Sequence, residues 1–110
     1  MSKFIALSEP YFDKDEINIV SRVIKNSWVS TAGKEIGIFE NLISKYANSK
    51  FAIACINGTS AIHISLKLVG VKKNDEVIVP TLTFIAPVNA IKYNQASPIF
   101  MDSDKFYNID

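Results

Sequence analysis

The second half of the chain carries three short, largely apolar runs, Phe51–Ile56, Glu76–Val79 and Pro98–Met101, separated by stretches of helical period. Runs of this length, continuous rather than alternating, read as strands covered on both faces, the habit of parallel sheets. Between the first two, Ile62, Leu66 and Val69 recur at helical spacing, with Gly70 near the end of the segment. Between the last two, a helix is predicted from about Ile85 to Tyr93. Strand, helix, strand, helix, strand implies right-handed crossovers and an α/β fold with a parallel sheet. Ligands of such sheets lie beyond the carboxyl ends of the strands. Two loops qualify: residues 57–60 and residues 80–87.

The first half reads differently. Residues 4–12 look like an extended arm closed by Pro10, and Asp13 then starts a helix with Asp15 and Glu16 in its first turn. Ile17, Val20 and Ile24 define its predicted buried face, and it should end near Asn26. The segment Ser27-Trp28-Val29-Ser30-Thr31-Ala32-Gly33 is rich in hydroxyls and lacks a period, so it reads as a loop. A second helix is predicted from about Lys34 to Ala47, with Ile36, Phe39, Leu42, Ile43 and Tyr46 on one stripe.

Charge and composition narrow the function classes. Twelve basic and 11 acidic residues among 110 give a formal charge of +1, and neither sign is concentrated. No basic face for nucleic acid is visible, and Lys72-Lys73 reads as a solvated turn. Cys55 is the only cysteine, and its apolar setting predicts a small buried thiol rather than a nucleophile. The apolar stretch within residues 1–10 is too short for a signal peptide, and no segment approaches the roughly 20 apolar residues of a membrane span. The expectation is a cytoplasmic protein of one domain, with neither nucleic acid nor membrane as a partner.

Each loop admits two readings. Gly58 permits a tight turn, while Thr59 and Ser60 put hydroxyls beside the free N–H groups of a starting helix, a suitable cradle for phosphate. The simpler reading is that Thr59 or Ser60 caps the helix. In the second loop, Phe84 stands just beyond a strand, within reach of a flat ring attached to such a phosphate. Stacking there would contribute about 0.5–1.5 kcal/mol beyond burial. The simpler reading makes Phe84 a core residue of the helix it introduces. No Gly-Lys-Ser/Thr follows the first loop and no spaced glycines occur, so neither nucleotide P-loop nor dinucleotide fingerprint is present.

The blocks Ser27–Gly33, Asn57-Gly58-Thr59-Ser60-Ala61-Ile62-His63 and Asp75-Glu76-Val77-Ile78-Val79-Pro80-Thr81-Leu82-Thr83-Phe84, closed by Ala96–Asp104 and Asn108-Ile109-Asp110, resemble the DegT/DnrJ/EryC1/StrS aminotransferases in order and spacing. The chain is most similar to members that make 4-amino sugars on a nucleotide carrier, of the perosamine and legionaminic-acid-precursor kind. The resemblance implies the start of the large domain of the type I pyridoxal-phosphate (PLP) transferase fold, aspartate aminotransferase-like. Residues 1–34 would form an arm, a helix and a substrate-side loop, and residues 35–110 the beginning of the cofactor domain. Gly58, Thr59 and Ser60 would bind the PLP phosphate, and Phe84 would stack on its pyridine ring. Trp28, Thr31 and Asn89 would touch the substrate, a nucleotide-linked keto-sugar that receives an amino group from glutamate. A homodimer would complete each active site. His63, inside an apolar helix, reads as a satisfied core histidine, and Asn89 could equally fix the neighbouring loop.

Relatives in this family are much longer. The resemblance places the Schiff-base lysine, and the aspartate that pairs with the pyridinium nitrogen, beyond residue 110. Lys34, Lys45, Lys67 and Lys92 read as exposed helix positions. The expectation is therefore a truncated chain with no catalytic residue of its own, no metal, and no activity alone. Two other readings stand beside it. One is a PLP-dependent sugar dehydratase of the same family, with histidine at the lysine position. The other is a non-catalytic α/β interaction module.

Overall fold

A computed structural model describes residues 4–110; Met1, Ser2 and Lys3 lie outside the described residues. The chain forms two compact units, the first running to Ala54 and the second from Cys55 to Asp110.

The first unit contains α1 (Lys14–Lys25) and α2 (Lys34–Tyr46). Asp13 caps α1 through a reciprocal pair of bonds: its Oδ1 accepts the Asp15 N–H at 2.8 Å, and its own N–H reaches Glu16 Oε2 at 2.8 Å. Glu16 and the Asp15 N–H hold the Asp13 carboxyl below its ordinary pKa. Both helices fall where the apolar period predicts. Their stripes, however, are not buried. Ile17, Val20 and Ile24 are 60, 56 and 62% exposed, and Phe39, Leu42 and Tyr46 are exposed as well. An amphipathic stripe states what a helix can bury, and among the described residues nothing covers these faces.

The predicted strand at Phe51–Ile56 is absent. Residues 51–55 carry no regular structure, and Phe51, Ile53 and Ile56 are 73, 80 and 91% exposed. Apolar continuity signals burial, but a strand also needs a backbone partner, and this run has none among the described residues. The Ala54 N–H tethers it to α2, donating to Glu40 Oε1 at 2.8 Å, and the Phe51 carbonyl accepts from Ser49 Oγ at 2.9 Å.

The second unit is α3 (Gly58–Leu68), β1 (Glu76–Pro80), α4 (Ile85–Tyr93) and β2 (Ser97–Met101). β1 and β2 pair in parallel, Glu76 opposite Ser97 through Pro80 opposite Met101, and the Thr81 N–H extends the ladder to Met101 O at 2.9 Å. This is the expected α/β unit with a parallel sheet and a helical crossover. Its core is small: Val79, Ile91 and Ala96, with Leu66, Val71, Val77 and Val88 packed around them. α4 packs on both strands and on α3. The strands are not covered on both faces as predicted, since Ile78 and Phe100 stay 57 and 56% exposed. Cys55 is half-buried rather than buried.

α3 stops at a left-handed glycine. Gly70 has φ +91°, its N–H reaches Lys67 O at 3.0 Å, and the Val71 N–H reaches Leu66 O at 2.9 Å. These are the two bonds of a Schellman closure, and Leu66 and Val71 both pack against the small core.

Candidate functional site

The turn Asn57-Gly58-Thr59-Ser60 opens α3, and the structure settles which residue caps it. Asn57 Oδ1 accepts the Ser60 N–H at 2.8 Å, so neither Thr59 nor Ser60 is the cap. The first helical turn leaves its N–H groups without intrahelical acceptors. Here the Ser60 N–H goes to Asn57 Oδ1 and the Ala61 N–H to Asn57 O at 3.1 Å. The N–H groups of Gly58 and Thr59 have no acceptor among the described residues. Thr59 and Ser60 are half-buried, and their hydroxyls make no hydrogen bond there either. Gly58 adopts no positive φ, so a strained turn is not its role; a Cβ at that position would enter open space. What glycine leaves there is room above two free N–H donors.

The helix starts differ in charge. α1 starts with Asp15 and Glu16 and α2 with Glu35, each offsetting the positive end of its helix. α3 and α4 have no acidic residue in their first turns. Their positive ends are left for another anion to neutralise.

Phe84 is the residue immediately before α4, and its ring is 88% exposed. Among the described residues it lies at the surface and not in the small core beneath α4. Phenylalanine also caps a helix poorly, and no side chain caps α4. α3 and α4 pack against each other, so the Gly58–Ser60 turn and Phe84 begin adjacent helices. Asn89 lies in the second turn of α4, half-buried, and its side chain makes no hydrogen bond to the neighbouring loop. His63 is not satisfied as predicted: its Nε2 is buried without a hydrogen-bond partner among the described residues. Its ring instead meets Tyr93 edge-on, centroids 5.6 Å apart at 64°.

Trp28 and Thr31 belong to the first unit, in the loop between α1 and α2. Trp28 lines an open hollow of about 470 Å³ with Val23, Asn26, Ala32, Lys34 and Glu35; Thr31 is exposed and does not line it. Arg22 stands 3.7 Å from Glu35 Oε1, an ion pair longer than a hydrogen bond, and that oxygen has no hydrogen-bond donor among the described residues. The loop is folded tightly. Gly33 donates to Ser30 O at 3.1 Å, and a Cβ on it would sit 3.1 Å from Trp28 O. Lys34, Lys45, Lys67 and Lys92 are exposed as expected. Asn57 is the site residue that sequence reasoning missed. The signal was available, since asparagine three residues before an N–H in a starting helix is a preferred cap.

Known proteins are similar to this chain in sequence and in fold. The chain is 43% identical over 102 residues to GDP-perosamine synthase of Escherichia coli O157:H7, covering 93% of this chain and 28% of that protein. The chain thus spans under a third of the length of the curated relatives it matches. Among solved structures, the aminotransferase from Psychrobacter cryohalolentis matches with TM-score 0.80 and 38% identity, over 86% of this chain and 24% of that one. Spr1654 of Streptococcus pneumoniae in its PLP form matches with TM-score 0.85 and 27% identity, over 96% of this chain and 27% of that one, and its pyridoxamine-phosphate (PMP) form matches as well. The cofactor these relatives indicate is pyridoxal phosphate. The family model for the DegT/DnrJ/EryC1/StrS aminotransferases matches residues 10–110, and the chain belongs to that family.

Proposed function

We propose that this chain supplies the phosphate cradle and ring-stacking residue of a PLP aminotransferase that moves an amino group from glutamate to a nucleotide-linked keto-sugar. The observation that carries this reading is the opening of α3. Two N–H donors and two hydroxyls stand free around an uncrowded glycine, with no carboxylate in the turn. That donor set fits a phosphate dianion, and an exposed aromatic at the start of the adjacent helix fits the ring attached to it.

In this reading the N–H groups of Gly58 and Thr59, with the Thr59 and Ser60 hydroxyls, hold the phosphate. Phe84 flanks the pyridine and excludes water from that face. Bound PLP supplies the electron sink that amino-group transfer requires. Trp28, Thr31 and Asn89 contact the sugar substrate. Residues 1–34 act as arm, helix and substrate-side loop, and residues 35–110 as the start of the cofactor domain. The kinship to GDP-perosamine synthase supports a nucleotide-linked sugar as acceptor. The same reading makes the enzyme a cytoplasmic homodimer, without a nucleic-acid or membrane partner, and takes its Schiff-base lysine from outside residues 1–110.

Amide chemical shifts test this directly. Titrating the isotopically labelled chain with PLP should move the Gly58 and Thr59 amide resonances, whereas pyridoxal, which lacks the phosphate, should leave them in place. Equal responses to the two compounds, or no response at millimolar PLP, would overturn the assignment.

A further inference from the structure

The residue in front of α3 has a role that rests on the phosphate reading above and goes beyond it. A side-chain acceptor stabilises a helix start, and aspartate and asparagine serve about equally well. α1 takes Asp13, backed by Asp15 and Glu16. α3 takes Asn57, which accepts the Ser60 N–H at 2.8 Å, and follows it with no acidic residue. The neutral carboxamide thus does the work of a cap with no charge, on a fold whose solved relatives include PLP and PMP forms. It also relieves Thr59 and Ser60 of capping, so that both hydroxyls stay free.

We propose that Asn57 is a positioning residue that selects for anions by charge: it shapes the first turn of α3 while keeping a carboxylate away from the phosphate. Aspartate at this position would make the same bond to the Ser60 N–H and set a negative charge beside a second one. Repulsion between like charges in one helical turn weakens phosphate binding by at least about tenfold. Serine would cap without charge and leave the anion undisturbed. Position 57 therefore governs affinity for a phosphate-bearing ligand separately from the stability of the helix.

The experiment compares the full chain with Asn57→Asp and Asn57→Ser, measuring the melting temperature and the affinity for PLP and for pyridoxal by equilibrium dialysis. The expected result is an N57D variant that melts with the wild type, loses at least about tenfold in PLP affinity and keeps its pyridoxal affinity. N57S should bind PLP within about threefold of the wild type, since serine is a comparable cap. If the wild type prefers PLP over pyridoxal and N57D binds PLP equally well, the role of Asn57 is overturned and the phosphate site stands. Loss of folding in N57D, or a loss of PLP affinity in N57S as large as that in N57D, overturns it too. A wild type that does not distinguish the two compounds removes both readings.

Discussion

Glu40 Oε1 accepts the backbone N–H of Ala54 at 2.8 Å, so one carboxylate on α2 fastens an apolar run that has no strand beside it. A hydrogen bond to a charged acceptor contributes roughly 1.5–3 kcal/mol. Glu40→Ala should therefore destabilise the chain by about 1.5 kcal/mol or more in urea unfolding. Glu40→Gln, which keeps a carbonyl acceptor, should lose less than half as much. Equal losses in the two variants would mean that the bond is not what the carboxylate provides.

Phe84 separates ligand binding from folding. Its ring is 88% exposed, so Phe84→Ala should change unfolding free energy by no more than about 0.5 kcal/mol. Loss of ring stacking should cost about threefold to tenfold in PLP affinity. Phe84→Trp should retain it. Fluorescence or dialysis titration with PLP reads both.

Gly33 is required by crowding rather than by an unusual backbone angle. Its φ is −68°, but a Cβ would lie 3.1 Å from the Trp28 carbonyl oxygen and 3.4 Å from that of Ser30. Gly33→Ala should cost roughly 1 kcal/mol and displace the loop. Trp28 is the only tryptophan, so its emission reports the displacement without interference. An unchanged spectrum together with unchanged stability would show that the carbonyl gives way freely.

Acid should loosen the start of α1 first. The Asp13 carboxyl is held below its ordinary value by Glu16 and by the Asp15 N–H. Because the folded pKa is the lower one, this contribution is complete above the ordinary aspartate value of about 3.9 and fades as pH falls through the folded value. Hydrogen exchange at the Asp15 amide should accelerate over that acidic range relative to α3, which is capped by an uncharged residue. Asp13→Asn should flatten the difference.

All four helices were legible in the sequence because each carries apolar residues at helical spacing between recognisable breaks. The paired strands were legible from Val77–Val79 and Ile99–Met101 and from the helix-length segment between them. Phe51–Ile56 was not, because its composition resembles theirs and the missing ingredient is a neighbour, which no local pattern encodes. Helix ends were read unevenly. Gly70 and Asn48 announce left-handed stops, whereas Ser27 and Gln95 adopt positive φ with side chains that do not advertise it. At the site, the donors Thr59 and Ser60 stood out in the sequence. The division of labour between them and Asn57 did not, since three polar residues in one turn can share capping in several ways. Exposure of Phe84 was likewise invisible, because an aromatic before a helix is compatible with either side of the surface.

Thr81 hangs from the carbonyl of Met101, so the chain leaves the sheet at a fixed point and has only Leu82 and Thr83 with which to reach Phe84. Residues 81–83 bend, so the spacer is short as well as anchored. The stretch works as a ruler. Its two spacer residues can be exchanged for many others, but dropping or adding one would shift Phe84 and the start of α4 relative to the end of β1.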